Sequence, residues 1–383
     1  MNDNPHIPSG YKPSPLGIIP EDWEVKRLGE ICTHFKSGNT ITSKEITDEG
    51  LYPVYGGNGL RGYSNNYTHE GNYILIGRQG ALCGNINYVE GKNYISEHAI
   101  AVQTNENMQW LKYKLENWNL NRFSESSARP GLSVEKLVRY KLSVPTLKEQ
   151  NKIAEILSLW DTAIAKQTAL TEQLTLRKRG LIQQLLTGKK RLKGFEGGTF
   201  HRLGNYISEC NRRNNGCKRV LSVTNTRGFI LQEEQFDKIV ASNDTSNYKV
   251  VRRGEFAYNP SRVNVGSLAM LNEYDEGILS PMYIVFKANE NIDKSYLLQC
   301  LQSWWFRGHI PAYTQGSVRD SLSFDGLCSM KFYIPTLQEQ KAISAILEQA
   351  DKEIEIQKQK LAAMQEQKKG LMQVLLTEKK RIK

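Results

Sequence analysis

PTLKEQNKIAEILSLWDTAIAKQTALTEQLTLRKRGLIQQLLTGKKRLK, residues 145–193, returns later in the chain as PTLQEQKAISAILEQADKEIEIQKQKLAAMQEQKKGLMQVLLTEKKRIK, residues 335–383. The two stretches align without a gap at an offset of 190, which is 335 minus 145, and nearly half of their positions are identical. The match continues upstream in weaker form, with Arg129, Leu132, Ser133 and Leu137 opposite Arg319, Leu322, Ser323 and Leu327. The starts echo as well: Trp23 with Leu28-Gly29 resembles Phe200 with Leu203-Gly204. Solenoid repeats have periods of about 20–50 residues. This period is far longer and denotes duplication of a whole domain together with its helix. The centres, about residues 30–125 and 205–315, do not match. Like frames with unlike centres suggest two heads with one job and two targets.

Each repeat opens on a helix start. Proline ends the preceding strand, and Thr146 and Thr336 are N-cap residues with Glu149 and Glu339 three positions on, the spacing of a capping box. No proline follows, and no glycine before Gly180 and Gly370. That leaves room for about 40 helical residues, about 60 Å. The apolar positions recur every seven residues. One seam is Ile153, Trp160, Gln167, Leu174, Leu181, repeated as Ile343, Ala350, Gln357, Met364, Leu371. The adjacent seam is Leu157, Ile164, Thr171, Lys178, Leu185 and its counterpart Leu347, Ile354, Leu361, Lys368, Leu375. Such a stripe is a coiled-coil seam. We expect an antiparallel pair in which Gln167 meets Gln357, Ile153 meets Leu371, Trp160 meets Met364, Leu174 meets Ala350 and Leu181 meets Ile343. A buried polar pair fixes register at some cost in stability. The alternative is that each helix lies on its own module with the glutamines exposed.

The modules read as α+β, with irregular sheets and long loops. Short β-type runs such as Tyr73–Ile76, Ala99–Val102 and Tyr283–Phe286 alternate with few helical stretches, around Trp110–Asn119 and Ser295–Phe306. In the first module Tyr55-Gly56-Gly57-Asn58-Gly59-Leu60-Arg61-Gly62-Tyr63 is glycine-dense, with Asn58, Arg61 and Tyr63 as its chemical content. Arg78 and Gln79 follow a strand-like run, and Arg129 sits in a third loop. The second module offers Asn225 and Arg227, then Asn259, Arg262 and Asn264, then Gln315 and Arg319. Arg262 follows its apolar run much as Arg78 follows its own. Arginine pairs with guanine, and Asn or Gln with adenine, across the major groove. The competing reading is that the glycines shape surface turns and the polar groups are merely solvated. The tails Lys189–Lys193 and Lys379–Lys383 are basic, suited to phosphates or to a helix C-terminus.

The chain has 383 residues, enough for more than one domain, and a net charge of +11, which favours a polyanionic partner. No stretch is long and apolar enough for a membrane span, and the first twenty residues lack a signal-peptide pattern. The six cysteines show no CxxC pair, which reads as free thiols in a reducing cytoplasm. The six histidines form no metal-spaced cluster, and His98 reads as structural. Neither a Walker A loop nor a G-x-S-x-G elbow is present. Asn259-Pro260-Ser261-Arg262 is similar to the Asn-Pro-Pro-aromatic loop of adenine methyltransferases, but serine and arginine replace the second proline and the aromatic. No glycine-rich cofactor loop precedes it. A self-sufficient nuclease and a coiled-coil scaffold unrelated to DNA are the alternatives from other classes.

The Pro-x-x-x-Glu-Gln-x-x-Ile opening, the long helix and the Leu-Leu-Thr-(Gly/Glu)-Lys-x-Arg close resemble the conserved regions of the specificity subunits of type I restriction–modification systems. The Tyr55–Tyr63 run is similar to one found in many of their target recognition domains. The resemblance implies target recognition domains at 1–146 and 200–336, spacer helices at 147–187 and 337–383, and a basic linker at 188–199. It implies a chain that is not itself an enzyme and that reads a bipartite, asymmetric site on double-stranded DNA. It further implies assembly with two modification (methyltransferase) subunits and with restriction (motor-nuclease) subunits. S-adenosylmethionine, ATP and Mg would be bound by those partners, and no cofactor or metal by this chain.

Overall fold

The two long helices, Leu147–Leu185 and Leu337–Leu375, span 39 residues each, and the register of the repeat is kept to the residue. The computed structural model describes residues 7–80, 82–124, 131–235, 244–314 and 321–377. The chain divides into two compact units, residues 1–168 with 359–383, and residues 169–358. Each unit thus owns one module and half of each long helix.

In the first unit, strand Glu24–Arg27 pairs antiparallel with Lys141–Val144, so the module's start and end lie side by side before Pro145 turns the chain into the helix. The main sheet runs Cys32–Ser37, Ala99–Thr104, Tyr73–Gly77, Ile86–Val89, all antiparallel. Its strands alternate by face, as a pleat requires. Ile74, Ile76, Ile100 and Val102 join Trp110, Leu111 and Leu115 in the core, while Leu75, Ala99 and Ala101 pack with Ile95 on the other side. The smaller sheet carries the hairpin Tyr52–Gly56/Gly59–Ser64, with Lys92–Ile95 parallel to the first of these strands.

The second unit repeats the frame. Thr199–Arg202 pairs with Lys331–Ile334, and the main sheet runs Ile207–Glu209, Ile284–Ala288, Phe256–Tyr258, Leu268–Met270. Two further strand pairs, Leu221–Thr224/Gly228–Leu231 and Lys249–Arg252/Glu276–Leu279, complete it. Its helical stretch is broken in two, Lys294–Gln302 and Trp304–His309, because the Ser303 hydroxyl accepts from Phe306 N at 3.1 Å and starts a new helix.

The repeated Glu-Gln has a local reason. Gln150 and Gln340 are fully buried, and each donates Nε2 to the carbonyl of its own preceding proline at 2.9 Å. Each Oε1 accepts a backbone N–H from a module helix cap, Asn107 at 2.9 Å and Asp293 at 2.7 Å. Asn107 and Asp293 in turn cap Trp110 N and Tyr296 N. One amide therefore locks long helix to module in both units. The capping-box threonines accept from Glu149 N and Glu339 N at 3.4 Å. The two carboxylates also take long-range partners, Trp23 Nε1 at 2.8 Å for Glu149 and the Arg191 guanidinium for Glu339.

In both units the helix halves run antiparallel. In the first, Ile153, Ala154 and Leu157 share a core with Leu375 and Leu376, and Leu371 packs against it. Lys368 Nζ reaches Asp161 at 2.5 Å. Burial alone would raise the Asp161 pKa, but hydrogen bonds from Lys368 and Tyr113 outweigh it and hold it low. Lys114, itself buried, donates to Leu376 O at 2.6 Å just past the helix end. In the second unit Ile343 and Leu347 share a core with Leu185 and Leu186, with Leu181 against it. Lys178 pairs with Asp351. Residues 161 and 351, like 178 and 368, are 190 apart, so one ion pair is made twice.

His34, His69 and Tyr73 form an edge-to-face cluster in the first unit, with centroids 5.1–5.7 Å apart. His34 Nε2 is buried without a partner among the described residues. Burial lowers the pKa of both histidines, so the fold holds them neutral. Their contribution to stability is complete above the unfolded value of about 6.5 and is lost as pH falls through the lower folded values. The first unit should melt several degrees lower at about pH 5 than at about pH 7.5. The double variant His34→Gln, His69→Gln should flatten that dependence, which pH-resolved melting checks; an equal slope in the variant would refute it.

Candidate nucleic-acid interface

In the first unit four chain segments converge at one end of the two central strands of the main sheet, Ala99–Thr104 and Tyr73–Gly77. The hairpin tip Gly57-Asn58 lies against it because Gly57 has no side chain: a Cβ there would stand 2.8 Å from His98 O. Gly77 meets the Gly57 carbonyl in the same way. Arg78 N donates to His98 O at 2.9 Å, and Leu132 N donates to Arg78 O at 2.9 Å. Gln79 bridges to Gly131. Asn58, Arg78 and Gln79 are thereby gathered, with Asn58 and Gln79 exposed and Arg78 half-buried. The Arg78 guanidinium has no partner among the described residues. Arg61 is exposed midway along the hairpin, its stem against Gly56. Tyr63 sits at the hairpin's other end, paired with Thr47 and backed by Gly50, away from the tip. Arg129 lies outside the described residues.

The second unit offers a cleft of about 660 Å³ between the hairpin turn at 225–227, the 259–267 loop and the segment 280–283. Asn225, Arg227, Asn259 and Arg262 all line it, with Met282 and Tyr283. Arg262 is exposed and its guanidinium has no partner among the described residues. Arg227 is 3.8 Å from Glu234, both exposed, a pair of little energetic weight. Asn259 is buried and turned inward to shape the loop: its Oδ1 accepts from Ser261 N at 3.1 Å. Asn264 is exposed, with its Oδ1 on Val265 N at 2.9 Å. Gln315 and Arg319 lie outside the described residues. Met282 and Val265, 61% and 58% exposed, give the rim an apolar surface of the kind that meets a thymine methyl.

The analogy between Arg78 and Arg262 is offset. Leu322, the repeat partner of Leu132, donates to Pro260 O at 3.1 Å. Pro260 therefore stands where Arg78 stands, and Arg262 comes two residues later, because the Asn259 turn inserts between strand and arginine. Sequence reasoning set His98 aside, yet it belongs to the first site. Its Nδ1 is 3.1 Å from Gln79 Oε1. The signal was available: Ala99 pairs with Gly77, so the residue before one strand must adjoin the residue after the other.

The helix-seam residues are placed as follows. Ile153 is buried, and Trp160 and Met364 are half-buried, in the first unit. Leu174, Leu181 and Ala350 line one groove in the second. Gln167 is buried in one unit and Gln357 half-buried in the other. Among the described residues no helix is long and apolar enough to cross a membrane, and no His/Cys/Asp/Glu group is placed to hold a metal.

Known proteins share this frame. The family model described as type I restriction modification DNA specificity domain matches twice, at residues 20–176 and 204–366. The specificity subunit of the type I restriction enzyme EcoprrI from Escherichia coli is 42% identical over 161 residues, a match spanning 40% of this chain and 40% of that subunit. The specificity subunit of the MjaVIII enzyme from Methanocaldococcus jannaschii is 26% identical across 95% of this chain and 94% of its own length. Among solved structures, the S subunit of a type I restriction–modification system from M. genitalium aligns with a TM-score of 0.61 at 14% identity, covering 92% of this chain and 96% of that one. A chain from a study of complex assembly and conformational transition in the type I system aligns at 0.57 and 13% identity, covering 94% and 98%. With the specificity-domain model matched once in each half, the chain belongs to the specificity subunits of type I restriction–modification systems.

Proposed function

We propose that this subunit reads a bipartite, asymmetric site on double-stranded DNA, one half with each unit, and catalyses nothing itself. The observation that carries the reading is the same strand frame built twice, presenting different polar groups: Asn58, Arg78 and Gln79 from one unit, and Asn225, Arg227 and Arg262 from the other. Among the described residues neither the Arg78 nor the Arg262 guanidinium has a partner, the condition for pairing with guanine or phosphate. Modification and restriction subunits would dock on the long helices, where Leu159, Leu176 and Ile356 are each at least 60% exposed. S-adenosylmethionine, ATP and Mg would belong to those partners. The cytoplasm, where such a complex finds its DNA, is the expected location.

The test assembles the full chain with its modification subunit and maps methylated sites. Arg78→Ala should relax one half-site and Arg262→Ala the other, each by about 1–3 kcal/mol of discrimination. Binding should fall steeply with salt. A chain that binds DNA with no salt dependence, or variants that both alter the same half-site, would refute the reading.

A further inference from the structure

His98 stands between two acceptors. Its Nδ1 is 3.1 Å from Gln79 Oε1 and its Nε2 is 3.3 Å from Glu97 Oε1. The turn that carries it is clamped by its backbone. His98 O accepts from Arg78 N at 2.9 Å, Ala99 N donates to Ser96 O at 3.0 Å, and Glu97 N donates to Asn39 O at 3.1 Å. The second Glu97 oxygen accepts from Ile41 N at 3.3 Å. The imidazole is therefore held at the convergence of the hairpin tip and the strand end, where its side-chain partners among the described residues are Glu97 and the exposed Gln79.

A neutral imidazole has one N–H and one lone pair; the imidazolium has two N–H groups. Two facing oxygens are both satisfied only by the imidazolium. When the ring is neutral, the Glu97 carboxylate keeps the single N–H at Nε2, and Nδ1 becomes an acceptor. Gln79 then relieves the clash of lone pairs by a half turn of its amide, placing NH₂ toward His98 and Oε1 outward. The outward end of Gln79 thus changes from donor to acceptor. A donor selects N7, O6 or O4 on a base edge; an acceptor selects the amino group of adenine or cytosine.

We propose that His98 is a positioning residue for base reading, its protonation setting which end of the Gln79 amide faces the DNA. This rests on the first unit being a DNA reader. The other titratable or charged groups near this turn include Glu97 on the turn itself, Arg78 on the strand-end loop, Tyr55 and Arg61 on the hairpin, and Tyr94 on the strand Lys92–Ile95, whose hydroxyl donates to Thr40 O at 2.8 Å and feels the Glu97 charge.

The experiment uses the full chain with its modification subunit on a pool of DNA randomised in the first half-site, methylated at about pH 6 and at about pH 8.5. Base preference at one position of that half-site should shift about tenfold, the worth of one hydrogen bond, while the second half-site stays constant. His98→Asn, which cannot titrate, should give the same preference at both pH values. Gln79→Ala should abolish preference at that position. A histidine that merely supports the fold would change total methylation and leave base ratios flat, and a wild-type preference that ignores pH, or that moves equally in His98→Asn, overturns the proposal. Should Arg78→Ala and Gln79→Ala both leave the first half-site intact, the DNA-reading assignment of this unit fails along with it.

Discussion

With one half-site assigned to each unit, replacing residues 199–334 by a second copy of residues 24–144 should give a chain that recognises the first half-site twice. The graft joins equivalent points. Thr199–Arg202 pairs with Lys331–Ile334 as Glu24–Arg27 pairs with Lys141–Val144, and both final strands lead through Pro-Thr-Leu into a long helix. The groups that fasten module to helix are also shared: Gln340 takes the place of Gln150, and Leu185 and Leu186 that of Leu375 and Leu376. The transplanted module should therefore seat on the host helices. Each mismatched base pair costs about 1–3 kcal/mol, so the original asymmetric site should be lost by several orders of magnitude. A methylation map of the host checks this. An unchanged second half-site would show that the module does not carry the base reading.

The second large effect is on stability. Leu157 and Leu347 occupy the same repeat position, are both fully buried, and each sits in the core of a different unit. Truncation to alanine should cost about 3–5 kcal/mol, the sum of lost transfer energy and an unfilled cavity. Leu157→Ala should lower the melting of the first unit by on the order of 10 °C and leave the second unchanged; Leu347→Ala should do the reverse. The double variant should lose both amounts independently. Hydrogen exchange resolved by unit provides the measurement. Equal protection loss in both units from either single variant would mean that the halves of the long helices do not divide between two cooperative bodies.

The site residues divide in an instructive way. Asn58, Arg78 and Gln79 were suggested by residue chemistry alone, and they lie together. Tyr63 was suggested by the same glycine-rich run, yet strand geometry carries it to the hairpin's other end, since five residues of extended chain separate it from Asn58. Asn259, a candidate base reader by its chemistry, lines the cleft and also shapes its loop, its Oδ1 accepting from Ser261 N. Asparagine serves both ends equally well, so composition cannot choose between them.

What the sequence determined by itself is the duplicated frame, read directly from the repeat at an offset of 190, and whatever depends on neighbours three to seven positions apart: both long helices, their threonine caps and the heptad stripe. The latter follow from helical periodicity, which repeats within a few residues and is written in order along the chain. Only the tertiary structure decided what Glu149 and Glu339 hold, one the indole of Trp23 and the other the guanidinium of Arg191, although the motif around them is the same. It alone placed His98 beside Gln79, and gathered four loop residues of the second unit in one cleft. Those contacts join residues from 19 to 148 positions apart, brought together by burial of the sheets and by glycines that permit close approach, and no local pattern in the chain carries that information.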